Sequence, residues 1–146
     1  MGMRHDFMKV QFYEADVGYE NIWASPSDDA AYVIESIPFF VYNVSLKDVV
    51  LTHPSEDERP DLVSFERVLK KSGHKTIRAR PNQFNLSDTK GGQLLAAIDK
   101  TGCKFETRPP RLIAIDVPSN TVLDRITAFL TNARVPWELA DPAADL

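Results

Sequence analysis

The stretch SGHKTIRAR, residues 72–80, combines side-chain types that could bind a ligand or transfer a proton. His74 titrates near neutral pH and could act as an acid, a base or a donor to an anion. Arg78 could bind a carboxylate or a phosphate through two parallel hydrogen bonds, and Ser72 and Thr76 could supply hydroxyl groups. In a strand that begins near His74, residues 74, 76 and 78 would project from one face about 7 Å apart. The favoured alternative is a tight glycine turn whose histidine bonds only backbone groups.

The segment IPFFVYNVS, residues 37–45, is rich in aromatic side chains. Phe39, Phe40 and Tyr42 cannot all face the interior from one strand, because neighbouring residues of a strand point to opposite faces. Some of these rings could therefore line a ligand-binding groove or an interface. The favoured alternative is that the segment crosses the open end of a barrel and fills it with aromatic rings.

Asp48 precedes the apolar run VVL and could serve as a catalytic or ligand-binding carboxylate. An aspartate in such a position more often fixes a turn by accepting hydrogen bonds from backbone N–H groups, and this interpretation is favoured. Asp116, near the end of another apolar run, is interpreted in the same way.

The composition restricts the kinds of site that the chain can carry. Cys103 is the single cysteine among 146 residues, so the chain can form no internal disulfide and no cysteine-based metal site. Its three histidines, His5, His53 and His74, lack the spacing of a metal site. The chain also contains neither a phosphate-binding loop of the P-loop type nor a GxSxG motif. The sequence therefore predicts neither a bound metal nor a cofactor.

The charge balance bears on the choice of partner. The formal net charge is −4 at pH 7, which lacks the positive footprint of a general nucleic-acid binder. The basic run KKSGHKTIRAR has no neighbouring aromatic residues, so it favours an RNA partner only weakly. The N-terminal residues include no long apolar run, which argues against a signal peptide or a membrane anchor and predicts a cytoplasmic protein.

The elements that must position these residues change in character near the middle of the chain. Residues 8–72 contain five short apolar runs that predict strands: KVQFYEAD, YENIWAS, AYVIESI, VSLKDVVLTHP and LVSFERVLKKSG. Residues 62–71 also fit a helix, but their β-branched and aromatic residues favour a strand. The run SEDERPD predicts an exposed acidic loop, and Trp23 is expected in the core. Five such strands predict a small curved sheet or a partial barrel.

Residues 73–146 alternate strands with helices. The segments SDTKGGQLLAAIDKTG and SNTVLDRITAFLTNA carry apolar stripes at helical spacing behind polar N-cap residues. Four short strands surround them, so the element order is β-α-β-β-α-β. That order predicts a ferredoxin-like unit, with two helices on one face of an antiparallel sheet. The predicted fold class is therefore α+β, with an N-terminal barrel or curved sheet packed on this C-terminal unit.

Three motifs, in this order, resemble an uncharacterised bacterial family described as a domain of unknown function. They are Trp23-Ala24, the run Ile37–Phe40 followed by Val44, Ser45, Asp48, Val49 and Val50, and the set Ser72, Gly73, His74, Thr76 and Arg78. A strand end IDVP, closing at Pro118, also fits, and the resemblance extends over residues 9–140. It implies no activity. Lys47 departs from the pattern, because a glycine is expected there in a tighter turn.

These residues support two hypotheses about function. The first is a non-enzymatic binding module that recognises a protein or a small ligand at the junction of the two halves, through His74, Arg78 and the aromatic segment. An immunity or antitoxin role, in which the acidic loop meets a basic toxin, is one form of it. The second is a small enzyme with His74 as acid–base and Arg78 as anion anchor. Edge strands also allow a homodimer.

Overall fold

The computed structural model describes residues 7–143, which form nine strands and two helices. The first five strands are β1 Met8–Glu14, β2 Gly18–Asp28, β3 Ala31–Ile34, β4 Val49–Pro54 and β5 Leu62–Lys70, and they close into a barrel. Each strand runs antiparallel to the one before it. Because their number is odd, β1 and β5 point the same way and close the barrel as a parallel pair. The prediction of an α+β chain with a small N-terminal barrel is confirmed.

Alternation of polar and apolar residues places one face of each barrel strand in the core. Val10 and Phe12 of β1 are buried, and Val10 lies opposite the buried Ile22 of β2. The ring of Phe12 lies 4.5 Å from the ring of Phe65 on β5, measured between centroids. Each fully buried side chain of this size stabilises the barrel by roughly 1.5–3 kcal/mol relative to exposure.

Trp23 does not lie in the core, and the expectation that it does is wrong. The residue is 49% exposed, between Ile22 and Ala24, which both point into the barrel. Because side chains alternate along a strand, the indole must then point outward. Lys9 lies opposite on β1, and its ammonium group is 4.8 Å from the indole ring.

Residues 62–70 form a strand, which confirms the favoured interpretation over the helical one. This strand pairs with both β4 and β1, so it closes the barrel. Of the apolar side chains that would share a helical face, Leu62 is buried but Leu69 is 44% exposed. The pairing partners on both sides outweigh any local helical preference.

The rest of the described chain forms a four-stranded sheet covered by two helices. Its elements are β6 Lys75–Ala79, α1 Thr89–Lys100, β7 Lys104–Arg108, β8 Leu112–Val117, α2 Asn120–Asn132 and β9 Trp137–Asp141. The strand order is β7-β8-β6-β9, and all neighbours are antiparallel. Both central strands are almost wholly buried. The division of the chain into subdomains at residue 72 stays a prediction.

The two faces of this sheet have different partners. Ile77, Ala79, Ile113 and Ile115 belong to the apolar cluster that includes the buried residues of both helices. The alternate residues Thr76, Arg78 and Asp116 point to the other face, which meets the segment between β3 and β4. The sheet therefore presents its polar face toward the barrel side of the molecule, and two of the sequence-predicted site residues, Thr76 and Arg78, lie on that face.

Candidate functional site

The junction segment, residues 36–48, precedes β4, and none of its residues belongs to a strand. Glutamate side chains bond much of its backbone in place of a neighbouring strand. The carboxylate of Glu20 on β2 accepts from the N–H groups of Phe39, Phe40 and Val41 at 2.7, 2.9 and 3.0 Å. Glu14 accepts from Tyr42 N at 3.1 Å. Because buried backbone donors are costly when unpaired, these carboxylates fix the path of the segment.

Arg78 satisfies the acceptors of the same segment from the opposite side. Its Nη1 donates to Phe40 O at 2.9 Å, and its Nη2 donates to Val41 O. Its Cζ lies 4.9 Å from the ring of Tyr42. The residue is 6% exposed, and burial lowers the pKa of Arg78, an effect that Glu20 partly offsets. The guanidinium group therefore binds the backbone of the chain itself rather than standing open to an anion.

The junction segment covers the barrel with aliphatic rather than aromatic side chains. Val41 and Val44 join the buried cluster of the barrel, whereas Phe39 and Phe40 remain partly exposed. Tyr42 is also partly exposed, and its hydroxyl donates to Glu138 Oε2 on β9 at 2.9 Å. Burial and this hydrogen bond raise the pKa of Tyr42. The two phenylalanine rings thus keep faces that a partner could contact.

A buried polar cluster lies where the junction segment meets β6 and β9. Asp48 is fully buried and accepts from the N–H groups of Ser45 and Ser72 at 2.9 and 2.7 Å. Lys71 Nζ lies 2.5 Å from Asp48 Oδ2 and 2.6 Å from Asp141 Oδ2. Asp48 therefore fixes the turn, as the favoured interpretation predicted, and also shares a cation with a second carboxylate.

Ser45 and Thr76 extend this cluster into the sheet. Ser45 Oγ donates to Asp141 Oδ2 at 2.5 Å and lies 2.7 Å from Thr76 Oγ1. Both residues are 0% exposed, so their hydroxyl groups cannot meet a ligand in this conformation. Their hydroxyl groups instead connect the junction segment, β6 and β9 through hydrogen bonds.

His74 pairs with an aspartate that the sequence did not connect to it. Its ring Nδ1 lies 2.9 and 3.0 Å from the two carboxylate oxygens of Asp116. Its backbone N–H donates to Ser72 Oγ at 3.1 Å. Burial raises the pKa of Asp116, and the bond to His74 partly counteracts this shift. No local pattern suggests this pair, because His74 precedes β6 and Asp116 lies on β8, 42 residues further along the chain.

The predicted residues therefore separate into three groups. Asp48, Ser72 and Thr76 belong to the polar cluster, and His74 pairs with Asp116. Arg78 lies with Phe40 and Tyr42 at the junction segment. Strand alternation does put Thr76 and Arg78 on one face as predicted, but both are buried against other parts of the chain.

An open groove lies beside these contacts, between the barrel and the four-stranded sheet. This aromatic groove has a volume of about 350 Å³, and its walls come from β2, the junction segment and β7. Trp23, Phe39, Phe40 and Arg108 line it, and Arg108 Cζ lies 5.3 and 5.1 Å from the two phenylalanine rings. Sequence reasoning found the phenylalanines but missed Trp23 and Arg108.

Other chemistry is limited within residues 7–143. That part of the chain contains no helix long and apolar enough to span a membrane. It also contains no group of three or more His, Cys, Asp or Glu side chains placed to hold a metal ion. Cys103 is buried, and burial raises the pKa of its thiol, which disfavours the reactive thiolate. His5 lies outside the described residues.

Comparison with known proteins adds a family and a fold. A family model described as a domain of unknown function (DUF4265) matches residues 20–137. No curated protein matches the chain. A structure titled as a novel crystal structure of a hypothetical protein from Neisseria gonorrhoeae is similar, with a TM-score of 0.66 and 20% identity over 96% of each chain. At that identity the likeness concerns the fold alone.

Proposed function

Because the chain belongs to the DUF4265 family, a domain of unknown function, its family supplies no activity, and we propose from its geometry that it is a non-enzymatic protein-binding module. A family of unknown function is what the sequence resemblance predicted. The observation that carries this proposal is the aromatic groove between the barrel and the sheet. It presents partly exposed Trp, Phe and Arg side chains on one open surface. These are the residue types that dominate binding energy at protein interfaces.

The way in which the groove is built supports the proposal. Phe39 and Phe40 sit on a backbone that Glu20 and Arg78 bond from two sides. Their positions are therefore set before a partner arrives, which reduces the entropy lost on binding. Arg108 lies over both rings without a carboxylate partner among the described residues, so its donors remain available to a partner.

A protein partner suits the groove better than a small molecule. The groove is partly open to solvent, whereas small ligands favour enclosed sites that bury most of their surface. A basic partner suits the net charge of −4. The loop of residues 55–61 carries four exposed acidic side chains, Glu56, Asp57, Glu58 and Asp61, as the immunity or antitoxin hypothesis requires. That specific role stays a prediction.

The enzymatic alternative has narrower support. The carboxylate of Asp116 could hold the His74 ring in the orientation that a general base needs. Arg78, however, donates to two backbone carbonyls, so it is not placed as the anion anchor that the alternative needs. The binding function does not require Arg78 to leave these two carbonyl groups, and it is therefore preferred.

The C-terminal half of the chain supports a more specific proposal about its fold. The elements from β6 to β9 follow the order β-α-β-β-α-β, and the strand order β7-β8-β6-β9 places the first and third strands at the centre. Both features are typical of the ferredoxin-like arrangement. We therefore assign the C-terminal half to that arrangement.

Site-specific crosslinking tests the proposed function. Protein carrying the photo-crosslinker benzoylphenylalanine at Phe40 should capture a partner protein in its host cells, whereas the same group at Leu69 should not. Leu69 is a suitable control because it is also exposed but does not line the groove. The captured protein is identified by mass spectrometry and purified for affinity measurement.

The affinity of variants for that purified partner then tests whether the aromatic groove is the binding surface. Trp23→Ala should weaken binding by about thirtyfold, the effect of losing one interface hot spot. Trp137→Ala provides the matched control, because this exposed tryptophan on β9 does not line the aromatic groove. If Trp23→Ala and Arg108→Ala bind as the unmodified protein does, the groove is not the recognition surface and the proposal is rejected.

A further inference from the structure

Strand β7 forms an edge of the four-stranded sheet. It pairs with β8 on one side, and none of the described residues pairs with its other side. Lys104, Thr107 and Arg108 are exposed. An unpaired edge presents a row of N–H and C=O groups that can accept a further strand.

Two grooves that share part of their lining lie beside this strand. A second groove of about 540 Å³ is lined by Lys104, Glu106 and Ile37, among others. It shares Ile37 and Glu106 with the aromatic groove, which ends at Arg108. Between them the two grooves are lined by Lys104, Phe105, Glu106 and Arg108 of β7. An extended peptide needs about 3.3 Å per residue, so a segment as long as β7 fits beside it.

The side chains of β7 give the edge a charge pattern. Lys104, Glu106 and Arg108 alternate along the strand and share the face turned toward the barrel. The pattern along the groove is therefore positive, negative, positive. Glu106 Oε2 accepts from Ile37 N at 3.0 Å, which fixes this side chain at the point where the two grooves meet.

On the basis of the protein-binding function above, we propose that the partner adds an extended strand to the free edge of β7. Main-chain hydrogen bonds to β7 supply affinity, as in other cases of strand addition. The complementary strand carries an acidic, a basic and an acidic side chain at alternate positions, opposite Lys104, Glu106 and Arg108. Specificity then comes from charge along β7 and from the aromatic groove at its end.

The same pattern disfavours a second copy of the chain as the occupant. Symmetric antiparallel pairing of β7 with itself about Glu106 sets Glu106 against its own copy and Lys104 against Arg108. Like charges directly opposite destabilise a strand pair. A register shifted by two residues removes the repulsion but leaves fewer residues paired. A different protein is therefore the better occupant.

Synthetic peptides test strand addition directly. The probe acetyl-Val-Glu-Val-Lys-Val-Glu-amide carries the complementary pattern, and acetyl-Val-Lys-Val-Glu-Val-Lys-amide carries the inverse. Nuclear magnetic resonance of the full chain records amide shifts and hydrogen exchange. We expect the first peptide to shift the amides of residues 104–108 and slow the exchange of edge amides by about tenfold or more. N-methylation of alternate peptide residues should abolish both effects.

Charge reversal supplies the matched variant. The double variant Lys104→Glu with Arg108→Glu should exchange the preference between the two peptides, because both exposed positions change sign without changing the core. Equal binding of both peptides by the unmodified protein would overturn the charge assignment. No change at residues 104–108 with any peptide would overturn strand addition itself.

The outcomes separate this inference from the proposed function. Amide shifts confined to Trp23 and Phe40, with unchanged exchange in β7, would overturn strand addition and leave the aromatic groove as the binding surface. Slowed exchange in β7 that appears with rising protein concentration and no peptide would assign the edge to a second copy and overturn the partner assignment.

Discussion

Opposite charges on Glu20 and Arg78 hold an irregular backbone in place. Glu20 accepts from three N–H groups of the junction segment, and Arg78 donates to two of its carbonyl oxygens. An isolated charge would be costly at these buried positions, but each group here bonds oriented backbone dipoles. The outcome is a rigid segment whose phenylalanine rings can still meet a partner.

Replacement of Arg78 tests this account at the scale of one residue. Arg78→Lys keeps the charge but loses the planar fork that reaches Phe40 O and Val41 O together. We expect the free energy of unfolding to fall by about 2 kcal/mol, because one buried carbonyl loses its donor. Urea denaturation measures the change.

Arg80→Lys is the matched control, because the side chain of Arg80 is exposed and has no hydrogen bond among the described residues. It should change stability by less than about 0.5 kcal/mol. Equal effects of the two substitutions would show that the fork of Arg78 does not support the junction segment.

Single residues were predictable where the local sequence determines their role. Asp48 fixes a turn by accepting from the N–H group of Ser45, three residues earlier in the chain, so its role could be inferred from its position. The pairing of His74 with Asp116 spans 42 residues and depends on the register of β6 and β8, which no local pattern specifies. The groove lined by Trp23 and Arg108 likewise exists only once the barrel and the sheet meet.

At the scale of elements, the turn before β4 explains a departure from the family pattern. Lys47 has φ 71°, in the left-handed region where glycine is favoured. The sequence motif indeed predicted a glycine at this position. Lys47 Nζ forms an ion pair with Glu35, and its N–H donates to Ile34 O at 2.8 Å. These contacts offset part of the backbone cost of the lysine.

The two adjacent glycines of α1 should respond differently to alanine. A Cβ on Gly91 would lie 2.4 Å from the carbonyl oxygens of Asn85 and Leu86, whereas a Cβ on Gly92 would meet nothing within 4 Å. We expect Gly91→Ala to lower the free energy of unfolding by about 1–3 kcal/mol through overpacking. Gly92→Ala should raise it by about 0.5–1 kcal/mol, because alanine favours the helix.

Thermal unfolding followed by circular dichroism measures both variants, and each serves as the control for the other. Equal shifts of the melting temperature would show that the loop of residues 85–86 does not approach α1 as closely as described. Glycine generally weakens a helix, but the need for Gly91 arises from a contact outside the helix.

Element positions were largely predictable because each has a strong local signal. Both helices carry apolar stripes, and the side chain of Ser119 caps α2 by accepting from Val122 N at 3.4 Å. The strand at residues 62–70 was the ambiguous case, and its partners β1 and β4 decided it. Closure of the barrel could not be derived from local pattern, since it depends on that long-range pairing.

At the scale of the molecule, the polar cluster connects elements that are distant in sequence. Ser45 of the junction segment bonds Asp141 on β9 and contacts Thr76 on β6. Lys71, at the end of the barrel, reaches both Asp48 and Asp141. Because these groups share partners across the barrel and the sheet, the two halves should unfold together.

The two tryptophans allow this coupling to be measured, because Trp23 lies in the barrel and Trp137 lies on β9. Fluorine NMR of protein labelled with fluorotryptophan follows each half separately through a urea titration. We expect the two transitions to coincide. Ser45→Ala should lower the free energy of unfolding of both halves equally, by about 1–3 kcal/mol, because the buried Thr76 and Asp141 each lose one hydrogen bond. Ser87→Ala, an exposed control, should move neither midpoint.

Separate midpoints, or a shift of only one resonance in Ser45→Ala, would mean that the halves fold independently. The aromatic groove between them would then lose the rigidity on which its binding role depends.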